Sequence, residues 1–342
     1  MSLTNRRRRV RALLEAIVAG AFYILASGTA HRAAVSAATE SWAPLFEQIL
    51  RLLALLVLFF ALGRIFTGQK QPLREQGLDL RSGWRREGAL GMAYGWALAV
   101  ICVLPLTIVG GISVVLLTGW RDGAWLLIDL LFFLLLTLSE ELAFRGYGFQ
   151  RLIAATGPFT ATMMAAVVAA IAQLLVPGSS RASVLVAVVT TIILSTAYLR
   201  TRALWVSWGI NFGWKASRAL LFGLAVKGDA SHSPVIEGNP MGPFWLTGGG
   251  YGLDGSWWTL LVLAVALPFL FTLTRDLDFV YNAPVLIPGG YPMEGDACAP
   301  APSAPAPAAL VQIQPLAEAP ATALPVGGTI AGDEAKPFDS TI

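Results

Sequence analysis

The sequence predicts an all-α, polytopic membrane protein of about eight transmembrane helices. The composition points there first, with 56% hydrophobic residues, only 13% charged residues and a mean hydropathy of +0.65, whereas soluble chains carry about a quarter charged. Segment length points the same way. A hydrocarbon core of about 30 Å needs about 20 apolar residues per helix, and such segments fall near 12–30, 43–63, 88–117, 123–142, 157–176, 184–200, 203–225 and 257–274. The third sign is the placement of arginine.

Lys and Arg in short flanking loops stay cytoplasmic. Arg6, Arg7, Arg8, Arg9 and Arg11 precede the first segment, and Arg64, Lys70, Arg74, Arg81, Arg85 and Arg86 fill the link between the second and third. Arg145 and Arg151, then Arg200 and Arg202, then Arg275 follow the fourth, sixth and eighth segments, while the loops after the first, third and fifth hold one Arg each. Both termini are therefore expected in the cytoplasm of a cell-membrane protein. The basic start resembles the n-region of a signal peptide, but Ala12 to Ala30 holds Glu15 and is not followed by a convincing cleavage site, so it reads as a retained helix.

The net charge of +3 is spread over the cytoplasmic loops, which fits topology and excludes nucleic acid as a partner. Membrane lipid is the expected surrounding. Cys102 and Cys298 are distant in sequence and support neither a disulfide nor a metal framework. After Gly289 the chain passes into an Ala/Pro-rich run toward Ile342, a composition expected to be a disordered tail.

Charge inside a membrane carries a cost of about 2.5–3.5 kcal/mol per group on insertion scales, so such residues are read first as a functional site. Glu140, Glu141 and Arg145 close the fourth segment. A rise of about 1.5 Å per residue from Gly123 puts Glu140 about 26 Å along this helix, near its cytoplasmic end. Glu141 and Arg145, four apart, can pair on one face, while Glu140 points about 100° away and is the freer carboxylate. A glutamate partly removed from water can act as a general base on a water molecule. The competing reading is a structural ion-pair knot, or charges that snorkel to the interface.

Glu140-Glu141-Leu142-Ala143-Phe144-Arg145-Gly146 resembles the Glu-Glu-x-x-x-Arg motif of the CAAX-protease and bacteriocin-processing (CPBP, or Abi) intramembrane proteases. Pro72-Leu73-Arg74-Glu75-Gln76-Gly77-Leu78 resembles that family's cytoplasmic link, and Tyr198 to Trp205 its lead-in to the last catalytic helix. Gly248-Gly249-Gly250-Tyr251-Gly252-Leu253-Asp254-Gly255-Ser256 is similar to a Gly-rich loop of some members. The resemblance spans roughly 65–275. It implies N-terminal transmembrane helices over 1–64, a cytoplasmic link over 65–87, a CPBP-like core over 88–275 and a cytoplasmic tail over 276–342. It further implies a CAAX prenyl protease-like endopeptidase, a hydrolase acting on membrane-associated protein or peptide substrates. No cofactor is called for.

The family's other motifs, Phe-x-x-x-His on the fifth span and His-x-x-x-Asn on the seventh, lack their histidines here. By position the first falls at Gln173, in Ala169-Ala170-Ile171-Ala172-Gln173, and the second at Asn211, with Lys215 in place of the closing Asn. The two histidines of the chain, His31 and His232, fall in expected external loops, so no His-bound metal is expected. The resemblance makes Glu140 the base, Glu141 and Arg145 its positioning pair, and Gln173 and Asn211 the amide donors to an oxyanion.

Lys215 opens an alternative, because Asn211, Lys215 and Arg218 repeat at helical spacing and present cations toward the glutamates. Such pairing would weaken Glu140 as a base and describes an inactive relative, a membrane scaffold or substrate-binding protein; Lys215 could instead supply the oxyanion donor. Gln173 also reads as an interhelical hydrogen bond to the fourth segment. A proton or solute path would suit buried charge, but no inverted repeat is visible in the two halves.

Overall fold

The computed structural model describes residues 3–116, 122–281, 285–286 and 292–293. Residues Met1–Ala283 form one compact unit and Pro284–Ile342 another. The first is helical almost throughout. Its opening helices are α1 (Leu3–Ala37) and α2 (Ala43–Phe66), followed by the short α3 (Pro72–Glu75) in the link and α4 (Trp84–Ile108). The fourth expected segment forms α5 (Asp122–Arg145), and α6 (Tyr147–Thr156) turns the chain into α7 (Pro158–Leu174), α8 (Arg181–Thr201) and α9 (Trp205–Ala216).

Among the described residues, four helices are long and apolar enough to cross a membrane: Arg6–Ala37 within α1, then α2, α4 and α8; α7 and α11 (Trp257–Leu273) are apolar but shorter. The expected third segment, 88–117, is too long. Gly110, at φ 74°, turns the chain after Ile108, and β-branched Ile112, Val114 and Val115 continue as β1 (Ile112–Leu116). This strand pairs antiparallel with β2 (Ile236–Pro240), Ile112 opposite Pro240 and Leu116 opposite Ile236. The expected seventh segment, 203–225, is also cut short: α9 ends at Ala216 and widens into a π-turn over Ser217–Leu221, where Phe222 N–H reaches Ser217 O at 3.0 Å.

Local chemistry sets several helix starts. Ser180 and Ser183 form a reciprocal capping box at α8, with Ser183 N–H on Ser180 Oγ at 3.1 Å and Ser180 N–H on Ser183 Oγ at 2.8 Å. Ser256 Oγ accepts from Trp258 N–H at 3.0 Å at the head of α11. Pro158, at the start of α7, occupies a position whose N–H would lack a helical partner.

The core has two main apolar clusters. One joins α4, α8, α9 and α11 through Cys102, Leu106, Ile193, Ile210, Trp214 and Leu270. The other joins α1, α2, α5 and α6 through Ala19, Leu55, Phe59, Leu142, Tyr147 and Phe149. Outward-facing Leu127, Val167, Leu174, Val265 and Phe269 leave an apolar exterior, as lipid contact requires.

The tightest helix pair is α4 against α9, and small residues make it so. A Cβ on Gly91 would lie 2.3 Å from Val206 O, one on Gly95 2.3 Å from Ile210 O, and one on Gly213 2.4 Å from Met92 O. Backbones meet where no side chain intervenes, the usual device for close membrane helices. This contact fixes α9, whose Asn211 and Lys215 reach α5.

At the start of the expected tail, 276–342, Arg275–Tyr281 forms α12. In the second unit β3 (Val285–Leu286) and β4 (Pro292–Met293) pair antiparallel. The rest of the expected tail lies outside the described residues.

Candidate active site

The last turns of α5 carry Glu140, Glu141 and Arg145. Glu141 points into the protein, 0% exposed, and its Oε1 accepts from Arg145 Nη1 at 3.0 Å. A carboxylate without any partner at that depth would carry a prohibitive desolvation cost, so the i,i+4 cation is what the position demands. Glu140, rotated round the helix, lines a cavity of about 300 Å³. The walls of this cavity come from α5, α7, α8 and α9 and from the turns after α9.

Across the cavity, α9 presents Asn211 and Lys215 one helical turn apart. Asn211 Nδ2 donates to Glu140 Oε2 at 3.0 Å and to Glu141 Oε1 at 2.9 Å, so one amide ties the two carboxylates together. Lys215 Nζ forms a salt bridge with the same Glu140 Oε2. Glu140 Oε1 makes no hydrogen bond to any described residue. The structure thus brings Glu140, Glu141, Arg145, Asn211 and Lys215 into one connected network.

Both expected amide donors have partners of their own. An amide NH2 has two hydrogens, and both of those on Asn211 are taken by carboxylates, which leaves none for an oxyanion in this arrangement. Gln173, 3% exposed, lines the same cavity from α7, yet its Nε2 donates to the hydroxyl of Tyr251. Its partner is the Gly-rich segment, not α5. Burial pushes the Tyr251 phenol up, so it stays protonated.

Other cavity residues have partners that the sequence does not show. Arg218, 0% exposed, pairs with Asp254 at 2.8 Å and lies over the Trp214 ring at 4.2 Å. It therefore turns away from the glutamates that the helical spacing had suggested for it. Asp254 belongs to the Gly-rich loop, whose backbone is forced into position: Gly252, at φ 89°, packs so closely on Ala225 O that a Cβ would lie 1.8 Å from it. Tyr23 of α1 and Lys227 also line the cavity. A lone acidic residue in a glycine-rich stretch was the available signal for Asp254; Tyr23 gave none. Among the described residues, no three His, Cys, Asp or Glu side chains gather closely enough to hold a metal ion.

Residues 122–217 match the family model of the type II CAAX prenyl endopeptidase Rce1-like group. This segment is Rce1-like. The Rce1-like core runs from α5 through α9 and contains Glu140, Glu141, Arg145, Gln173, Asn211 and Lys215. Arg218, Lys227 and Asp254 lie beyond it, although they share its cavity, and Tyr251, the partner of Gln173, lies beyond it too. No curated protein and no solved structure matches the chain. The Rce1-like match over residues 122–217 and the apolar helices long enough to cross a bilayer fit a membrane protein.

Proposed function

We propose that the chain is a CPBP-type intramembrane endopeptidase of the cell membrane, with both termini cytoplasmic, that cuts membrane-associated protein or peptide substrates using water activated by Glu140. The observation that carries this reading is the state of the Glu140 carboxylate: Oε2 is held by Asn211 and Lys215 while Oε1 faces no described donor, at the wall of a cavity. A base must be fixed in direction and open on one side.

In the proposed reaction, Glu140 Oε1 takes one proton from water as the oxygen attacks the peptide carbonyl. The carbonyl π electrons move to oxygen, and the resulting oxyanion is met by Lys215, whose ammonium has three donors and uses one on Glu140. Collapse of the intermediate breaks the C–N bond, and the proton held by Glu140 passes to the leaving amine. Asn211, Glu141 and Arg145 position the base. The matching test is hydrolysis of a membrane-peptide library by the reconstituted full chain in ¹⁸O water. New C-termini carrying the label, lost with Glu140→Gln, support the reaction; no labelled terminus removes it.

A second reading is favoured by one specific feature. The Lys215 ion pair and the double donation from Asn211 satisfy Glu140 as a structural group, which suits a relative that binds membrane-associated peptides without cutting them. Introducing Gln173→His with Asn211→His separates the two: appearance of cleavage only in the variant marks an idle protease cavity, and continued silence marks a binding protein.

A further inference from the structure

The cavity wall holds more positive than negative charge. Lys215 is paired with Glu140, Arg145 with Glu141 and Arg218 with Asp254. That leaves Lys227, which makes no ion pair with any described residue and lies close enough to act electrostatically on both Glu140 and Lys215.

Arg218 is also incompletely satisfied. Its guanidinium is 0% exposed, stacked on Trp214 at 4.2 Å, and bridged to Asp254 through one terminal nitrogen at 2.8 Å. Both terminal nitrogens, Nη1 and Nη2, are buried without a hydrogen bond to any described residue, Nη1 meeting Asp254 as an ion pair alone. A buried guanidinium N–H without an acceptor is costly, and the planar fork matches a carboxylate or phosphate.

The backbone holds Lys227 at this place deliberately. Lys227 has φ 55° and Gly228 φ 87°, and Val226 and Asp229 exchange both backbone hydrogen bonds, at 2.9 and 3.1 Å. Positive φ at both central residues marks the tight two-residue turn that ordinarily selects Asn, Asp or Gly first. A lysine there is an outlier, and Gly228 N–H on Tyr251 O at 3.0 Å ties the turn to the Gly-rich loop.

We infer that Arg218 and Lys227 form an anion-binding subsite in the cavity, and that it takes a carboxylate of a peptide ligand. Arg218 is the deep fork and Lys227 the entry charge. The apolar wall beside them, Ala169, Ala172, Val186, Ala187 and Leu194, suits apolar residues flanking that carboxylate. The assignment rests on the proposed peptide ligand, but not on turnover.

The test is binding of fluorescent apolar peptides to the full chain in detergent micelles, followed by anisotropy for the wild type and for Glu140→Gln. Two matched pairs are used: one internal Glu against Gln, and a free C-terminus against its amide. At least one pair is expected to favour the carboxylate about tenfold or more, in both proteins, and the pair that does so names its source. Lys227→Gln, an exposed change, is expected to erase most of that preference, as is Arg218→Gln combined with Asp254→Asn, which keeps a neutral pair. Equal binding within both pairs, or a preference unchanged in both variants, overturns the subsite. Displacement by vesicles of anionic phospholipid but not by peptide carboxylate would also overturn it, by assigning the site to lipid phosphate. If the preference holds while no peptide is cut, the subsite stands and the protease reading falls.

Discussion

Lys215 of α9 is salt-bridged to Glu140 of α5, so the position where the resemblance leads one to expect a closing Asn instead carries the counter-ion of the candidate base. The pair joins two helices across the cavity. Its consequences for stability and for chemistry can be measured separately.

Lys215→Met removes the counter-ion and leaves Glu140 facing the cavity without it. Breaking a buried pair from one side costs about 3–5 kcal/mol; because Glu140 reaches the cavity, the lower end, about 3 kcal/mol, is expected. Adding Glu140→Gln should restore most of that loss. Denaturant titration of the detergent-solubilised chain, run as a double-mutant cycle, gives both values.

Asn211→Ala unties the two carboxylates. Because Asn211 contacts Glu140 and Glu141 at once, its loss is expected to lower kcat by about 10²-fold, a typical size for one positioned hydrogen-bond donor, with KM nearly unchanged. Steady-state kinetics on any substrate found for the chain reads the split.

Gln173→Ala and Tyr251→Phe act on one hydrogen bond between α7 and the Gly-rich loop. Each should reduce activity by a similar, smaller factor, and the double variant should be no worse than either single one. A strictly additive double variant would show that Gln173 has a role of its own in the cavity.

Gly95→Ala and Gly20→Ala should move stability in opposite directions. A Cβ on Gly95 meets Ile210 O at 2.3 Å, whereas one on Gly20 meets nothing within 4 Å. The first forces α4 from α9 at about 1–3 kcal/mol, displacing Asn211 and Lys215; the second removes glycine from a helix interior and gains about 0.5–1 kcal/mol. Unfolding midpoints of the two variants in one detergent decide the matter.

Much of the site was legible because charge stands out against an apolar run. Glu140, Glu141, Arg145 and Lys215 each break a segment fit for lipid, and their pairing follows from helical spacing and from the cost of unpaired charge. The partner of Gln173 was not legible, since Tyr251 lies far along the chain in a loop whose course depends on Gly252 packing against Ala225. Arg218 misled for a related reason, because the π-turn and Asp254 draw it away from the glutamates. Apolarity alone also overextended the third segment past Gly110, where a glycine turn and β-branched residues begin a strand that pairs only with distant residues 236–240. The close approach of Gly91 and Gly95 to Gly209 and Gly213, which sets α9 beside α5, shows only in the packed helices.

The most direct test compares native-host membranes carrying matched amounts of wild-type chain or Glu140→Gln, by mass spectrometry of newly formed peptide termini. A glutamate-dependent protease produces specific termini in the wild-type membranes that vanish with Glu140→Gln, and those termini identify its substrates. Identical termini in both membranes would contradict catalysis through Glu140 and leave peptide binding as the role of the cavity.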